Sequence, residues 1–184
     1  KIIKLFFIFC ILSSTIYVFN DICDISQDKL NRQSKKNKPL AQQIIPKKNA
    51  IIFFIFLLIF SLLMIFFQKK LTLYSCIFFL SINLLYSLFL KNIFFVEILI
   101  IAISYITRIY ASSFEAEIYL SFTMITLIFM TVIFIISLKR KNEMLNSKVP
   151  RKSIRNVNLS FFTNLSLISY LSVILIYFYY SFIK

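Results

Sequence analysis

Ala50-Ile-Ile-Phe-Phe-Ile-Phe-Leu-Leu-Ile-Phe-Ser-Leu-Leu-Met-Ile-Phe-Phe67 runs for eighteen residues without a charge, and its one polar side chain is the Ser61 hydroxyl. About 20 apolar residues cross a hydrocarbon core about 30 Å thick, so this run reads as a membrane-spanning helix. Five further runs of similar character lie around it, at 2–19, 71–90, 93–112, 118–138 and 159–183. Helices apolar on every side must meet lipid or one another, and a chain in lipid has to satisfy its own backbone. The fold class is therefore all-α, a polytopic transmembrane helical bundle with 1–184 forming a single integral-membrane domain.

Composition agrees. Hydrophobic residues make up 60% of the chain, charged residues only 15%, and the mean hydropathy is +0.86. The chain has no His, which removes imidazole bases and ligands, and Cys10, Cys23 and Cys76 are too scattered for a zinc site or a disulfide framework. Gly is absent as well, so helix contacts must use Ser, Thr and Ala. The 23 Phe and 10 Tyr, with Tyr177-Phe178-Tyr179-Tyr180 near the end, suit lipid contact and interface anchoring, and give no support to nucleic-acid binding. Lys1 and Lys4 before the first apolar run mimic a signal peptide, but no small-x-small cleavage site follows it. A first residue other than Met leads to the expectation that the chain is a fragment or a truncated relative.

The 21 Lys and Arg outnumber the 7 Asp and Glu and fall mostly between the apolar runs. Segment 20–49 holds Lys29, Arg32, Lys35, Lys36, Lys38, Lys47 and Lys48; segment 139–158 holds Lys139, Arg140, Lys141, Lys148, Arg151, Lys152 and Arg155. With Lys91 these place fifteen cations on one side of the membrane against five on the other, Lys1, Lys4, Lys69, Lys70 and Lys184. The positive-inside rule puts both long loops in the cytoplasm and 113–117 outside.

All three Asp of the chain fall in Asn20-Asp21-Ile22-Cys23-Asp24-Ile25-Ser26-Gln27-Asp28. If the first helix continues through this stretch, Asp21, Asp24 and Asp28 share one face at i, i+3 and i+7, with Asn20 at its edge. Such a face repels itself unless cations neutralise it. Mg²⁺, which takes one or two carboxylates and leaves positions for phosphate oxygens, is one candidate, and the lysines that follow are another. Inside the fourth run lie Glu97 and Arg108, where a charge near the membrane centre costs at least about 2.5 kcal/mol. They stand about 16 Å apart along a helix, too far to pair. Glu97 is expected to face a polar cavity, while Arg108 either does the same or snorkels to the outer surface.

The stretch Asn20-Asp21-x-x-Asp24-x-x-x-Asp28, with Asn37-Lys38-Pro39-Leu40-Ala41 after it, resembles the first aspartate-rich loop of the UbiA superfamily of integral-membrane prenyltransferases. Tyr86-Ser-Leu-Phe-Leu-Lys91 is similar to that superfamily's Tyr-x-x-x-(x)-Lys loop. Glu97, then Thr107-Arg108 with Ala111, then Ser137-Leu138-Lys139-Arg140-Lys141-Asn142-Glu143-Met144-Leu145 follow in the order of the decaprenyl-phosphate phosphoribosyltransferase branch. By this resemblance the six runs correspond to helices two to seven of a nine-helix fold. The sequence departs from the family at its glycines: Gln42 or Gln43, Ser112 or Ser113, and Ser137 stand in their places. The Arg-x-x-Leu-x-x-Tyr pattern survives only as Arg151, Ile154 and Val157, and no Asp follows Asp28 to form a second aspartate motif, which favours the phosphoribosyl branch.

The resemblance implies Mg²⁺-dependent transfer from phosphoribosyl diphosphate to a polyprenyl phosphate in a bacterial inner membrane, with the site on the cytoplasmic side. The alternative within the family is transfer of an isoprenyl group from its diphosphate to a small acceptor; outside it stands a non-catalytic multi-pass protein. Asp21, Asp24 and Asp28 would be the catalytic carboxylates and metal ligands, and Asn20 would fix them. Lys38, Tyr86, Lys91, Glu97, Arg108, Lys139, Arg140 and Glu143 would bind substrate. Glu143 is i+4 from Lys139 and i+3 from Arg140, so on a helix its carboxylate can hold both cations toward a ribose 5-phosphate.

Overall fold

A computed structural model describes residues 1–30, 37–91, 93–146 and 157–183. Arg32, Lys35, Lys36, Lys148, Arg151, Lys152, Ile154, Arg155 and Lys184, used above for topology and resemblance, lie outside the described residues. The helices are α1 (Ile2–Leu30), α2 (Lys47–Phe66), α3 (Lys70–Leu85), α4 (Phe94–Ala116), α5 (Phe122–Asn146) and α6 (Leu159–Ile183), with a widened helical turn Tyr86–Leu90 continuing α3. Among the described residues six helices are long and apolar enough to cross a membrane, and the protein is an integral membrane protein.

Local chemistry sets the helix ends. Pro46, extended at φ −65° and ψ 142°, opens α2, and its carbonyl accepts the Asn49 and Ala50 N–H groups at 3.0 and 3.3 Å. α4 runs past the expected end at 112 because its serines turn back on the helix: Ser112 Oγ donates to the Arg108 carbonyl at 2.9 Å and Ser113 Oγ to the Tyr110 carbonyl at 2.8 Å. It stops at Glu117, which is left-handed (φ 59°) and exposed, its carboxylate held by Lys69 at 2.5 Å. That contact keeps the Glu117 carboxyl below its ordinary range and the Lys69 ammonium above its own. The lowered carboxyl contributes above its unfolded pKa and is lost on acidification, and the raised ammonium is lost only as pH climbs through its folded pKa, so this end cap holds through the neutral range and weakens in acid and in strong alkali.

α4 is the centre of the bundle. On one side Leu5, Ile8, Leu12, Ile65, Phe79 and Leu80 pack with Ala111; on the other Ile98 and Ala102 pack with Val132, Ile136 and Phe162. Three of its polar residues, Ser104, Arg108 and Glu115, find partners on neighbouring helices. Asn83 Nδ2 donates to Ser104 Oγ at 2.9 Å, Thr72 Oγ1 donates to the buried Glu115 carboxylate at 3.2 Å, and Arg108 Nη2 donates to Ser13 Oγ at 3.1 Å. These links take the place of the close glycine contacts the chain cannot make. Outward-facing Phe6, Phe7, Phe53, Phe56 and Leu63 form the lipid surface.

Gln43 is the second left-handed residue, at φ 64°, in the turn that joins 37 to α2. Of Gln42 and Gln43, it is therefore the one in a conformation that glycine adopts without strain. Gln43→Gly is expected to stabilise the protein by about 1 kcal/mol, read as a higher unfolding midpoint, because a left-handed non-glycine residue costs about 1–2 kcal/mol.

Candidate functional site

The helix of α1 does continue through the aspartates. Its 29 residues extend about 43 Å, more than the hydrocarbon core requires, so the last turns, carrying Asn20, Asp21, Asp24 and Asp28, reach the polar boundary. Asp21 and Asp28 are two turns apart, yet both bend toward one ammonium: Lys38 Nζ lies 2.7 Å from Asp21 Oδ1 and 2.8 Å from Asp28 Oδ2. Lys38 is presented by the turn after it, where Gln42 N–H donates to the Lys38 carbonyl at 3.1 Å and Ala41 is buried. Burial pulls the Lys38 pKa down, but the hydrogen bonds and charges of the two aspartates outweigh it and raise it above the ordinary lysine value. A raised ammonium contributes below its unfolded pKa and is lost only as pH climbs through the folded one, so this clamp is intact throughout the neutral range.

Asp24, between the other two and buried, pairs instead with Lys91. Lys91 reaches it from the widened turn. Its N–H donates to the Tyr86 carbonyl, five residues back, at 3.1 Å, where an α-helix would use the fourth. Tyr86, at the start of the turn, donates its hydroxyl to Glu97 Oε1 at 3.0 Å. Glu97 is fully buried and pairs with Arg140 Nη2 from α5, whose Nη1 holds Glu143 one turn further on. Arg140 is only 3% exposed, and among the described residues its Nε has no partner.

These contacts gather eight of the proposed site residues at one end of the bundle: Asp21, Asp24, Asp28, Lys38, Lys91, Tyr86, Glu97 and Arg140, with Glu143 on the far side of Arg140. Asn20 is half-buried one residue before Asp21, and Lys139 is exposed on α5. Among the described residues α1 and α5 make no direct contact; α4 and the widened turn stand between the aspartates and 139–143. Arg108 does not snorkel. It stays half-buried with its guanidinium 4.7 Å from the Phe79 ring, well along α4 from the cluster. Arg140, expected to offer a fork to a ribose phosphate, has both Nη groups committed to carboxylates.

Three pairings escaped the sequence reading. That Lys38 spans Asp21 and Asp28 has no periodic signal, because the pairing crosses a turn. The Asn83–Ser104 and Thr72–Glu115 links were foreshadowed by the spacing of Glu97, Ser104, Arg108 and Glu115, which recur at helical intervals along one stripe of α4.

Chemically, the cluster pairs hard oxygen donors with ammonium groups. Lys38 already sits as a cation with two carboxylate partners, and three aspartates meet two lysines, leaving one negative charge in excess. That donor set suits Mg²⁺, which binds through one or two carboxylates and completes its shell with phosphate oxygens and water. Among the described residues no three Asp, Glu or Cys side chains converge on one point.

Comparison with curated proteins gives no match. Among solved structures the chain is similar to a UbiA homolog from Archaeoglobus fulgidus, determined bound to DMAPP and Mg²⁺: the TM-score is 0.83 at 14% identity, over 97% of this chain. The chain spans 65% of the length of that protein, and the likeness is one of fold. The profile of the UbiA prenyltransferase family matches residues 1–184, from end to end, and the chain belongs to that family.

Proposed function

We propose that the chain is the core of a membrane transferase that acts on a polyprenyl substrate and grips a diphosphate between the α1 carboxylates and the lysines facing them. The observation that carries this reading is the paired arrangement itself, Lys38 on Asp21 and Asp28 beside Lys91 on Asp24. Asp21 and Asp28, with Asp24, would hold Mg²⁺, which when bound offsets the charge of a departing diphosphate. Lys38 and Lys91 then meet the phosphate oxygens themselves. Asn20 supports the first carboxylate from the same turn of helix.

The donor we propose is phosphoribosyl diphosphate and the acceptor a polyprenyl phosphate. An anionic phosphate oxygen forms the bond to the anomeric carbon as the bond to diphosphate breaks, so no proton need be removed from the nucleophile, in keeping with a chain without His. The single aspartate cluster supports this donor, since no Asp follows Asp28. Lys139, exposed on α5, would meet a ribose 5-phosphate. The second reading, transfer of an isoprenyl group from its diphosphate, is favoured by the DMAPP and Mg²⁺ held by the archaeal structure. Parallel assays of the full-length protein with phosphoribosyl diphosphate plus polyprenyl phosphate, and with an isoprenyl diphosphate plus small acceptors, decide between them. Product from the first pair only is expected; product from the second only overturns the choice of donor.

The site end is proposed to face the cytoplasm of a bacterial inner membrane, on the cation bias of the loops. In a background lacking Cys10, Cys23 and Cys76, Ser34→Cys and Ser147→Cys are expected to be shielded from an impermeant thiol reagent in intact cells. Tyr119→Cys, at a position 90% exposed beyond α4, is expected to react. Labelling of Ser34→Cys and Ser147→Cys from opposite sides contradicts the topology.

A further inference from the structure

We infer that Glu97 and Arg140 are positioning residues, which act on the diphosphate end of the site through the Tyr86 hydroxyl and the widened turn that ends at Lys91. A fully buried carboxylate in a membrane helix is costly, and holding α3 against α4 does not require one. Asn83 and Ser104 already tie the same two helices with a neutral hydrogen bond of 2.9 Å. What Glu97 holds and Ser104 does not is the first residue of the turn 86–90.

The turn matters because of where it sends Lys91. In an α-helix each residue advances about 100° around the axis, so one extra residue in a turn swings everything after it to a different face. Here the widened bond from Lys91 N–H to the Tyr86 carbonyl, 3.1 Å long, precedes the side chain that lands on Asp24. Arg140 holds Glu97 in place, Glu97 fixes the Tyr86 hydroxyl, and the closed turn delivers Lys91 to the aspartate helix. Residues on α5 and α1, which do not touch, are thereby linked through a chain of named contacts.

This inference rests on the diphosphate reading of the site, and a double-mutant cycle separates the two. Tyr86→Phe, Lys91→Gln and the double variant are compared with wild type for inorganic diphosphate binding in Mg²⁺, using the full-length protein. Tyr86→Phe is expected to weaken binding about fivefold to tenfold, and Lys91→Gln by at least as much. The double variant is expected to be no weaker than Lys91→Gln alone, because Tyr86 acts only through Lys91. Lys91→Arg, which keeps a cation for Asp24, is expected to restore the full sensitivity to Tyr86→Phe and guards against misfolding of Lys91→Gln. Additive losses with intact wild-type binding overturn the relay alone; a wild-type protein that binds no diphosphate overturns the site reading and the relay with it.

Discussion

Arg140→Ala is expected to be the most damaging single substitution, lowering stability by about 3–5 kcal/mol or preventing accumulation of the protein in the membrane. Arg140 is 3% exposed and joins Glu97, which is fully buried, to Glu143. Removing it leaves the Glu97 carboxylate without its cation beside the α4–α5 core of Ile98, Ala102, Val132 and Ile136. The damage comes from the orphaned charge more than from the lost bond, so the double variant Glu97→Gln with Arg140→Met is expected to unfold at a higher temperature than Arg140→Ala. A double variant less stable than the single one would mean that the pair contributes net stability beyond neutralising itself. Thermal unfolding in detergent compares the three proteins directly.

The second large effect is on binding. Neutralising Asp21 and Asp28 together, as asparagines, is expected to weaken Mg²⁺-dependent diphosphate binding at least 100-fold, about 2.7 kcal/mol. The same change releases the Lys38 ammonium from both of its carboxylates. Diphosphate binding without Mg²⁺ is therefore expected to hold steady or tighten while binding in Mg²⁺ weakens, a divergence that general damage to the helix cannot produce. Equal weakening with and without the metal would remove Asp21 and Asp28 from the metal site.

The six spans, and the continuation of α1 through three aspartates on one face, were legible because both depend on local periodicity, length and hydropathy. The end of α4 was not: Ser112, Ser113 and Glu115 look like loop residues, but the two serines return to their own helix and Glu115 finds Thr72. The widened turn was hidden for a different reason. Tyr86-Ser-Leu-Phe-Leu-Lys91 has the composition of an ordinary helix end, and only the Tyr86–Glu97 and Lys91–Asp24 contacts distinguish it. Arg140 and Glu143 were read correctly as i,i+3 neighbours, yet nothing local told that Glu97, 43 residues earlier, would take the other side of the guanidinium. Charges pair across a fold according to which helices touch, and a single sequence does not state that.

Titration of inorganic diphosphate into the full-length protein, in Mg²⁺ and again with the metal chelated, tests most directly whether the α1 aspartates and their lysines form a metal-assisted diphosphate site. Mg²⁺ is expected to tighten binding at least 100-fold in wild type, about 2.7 kcal/mol, and to lose that effect when Asp21 and Asp28 are neutralised. Binding of equal strength with and without Mg²⁺, or a metal effect that survives loss of both carboxylates, would contradict it.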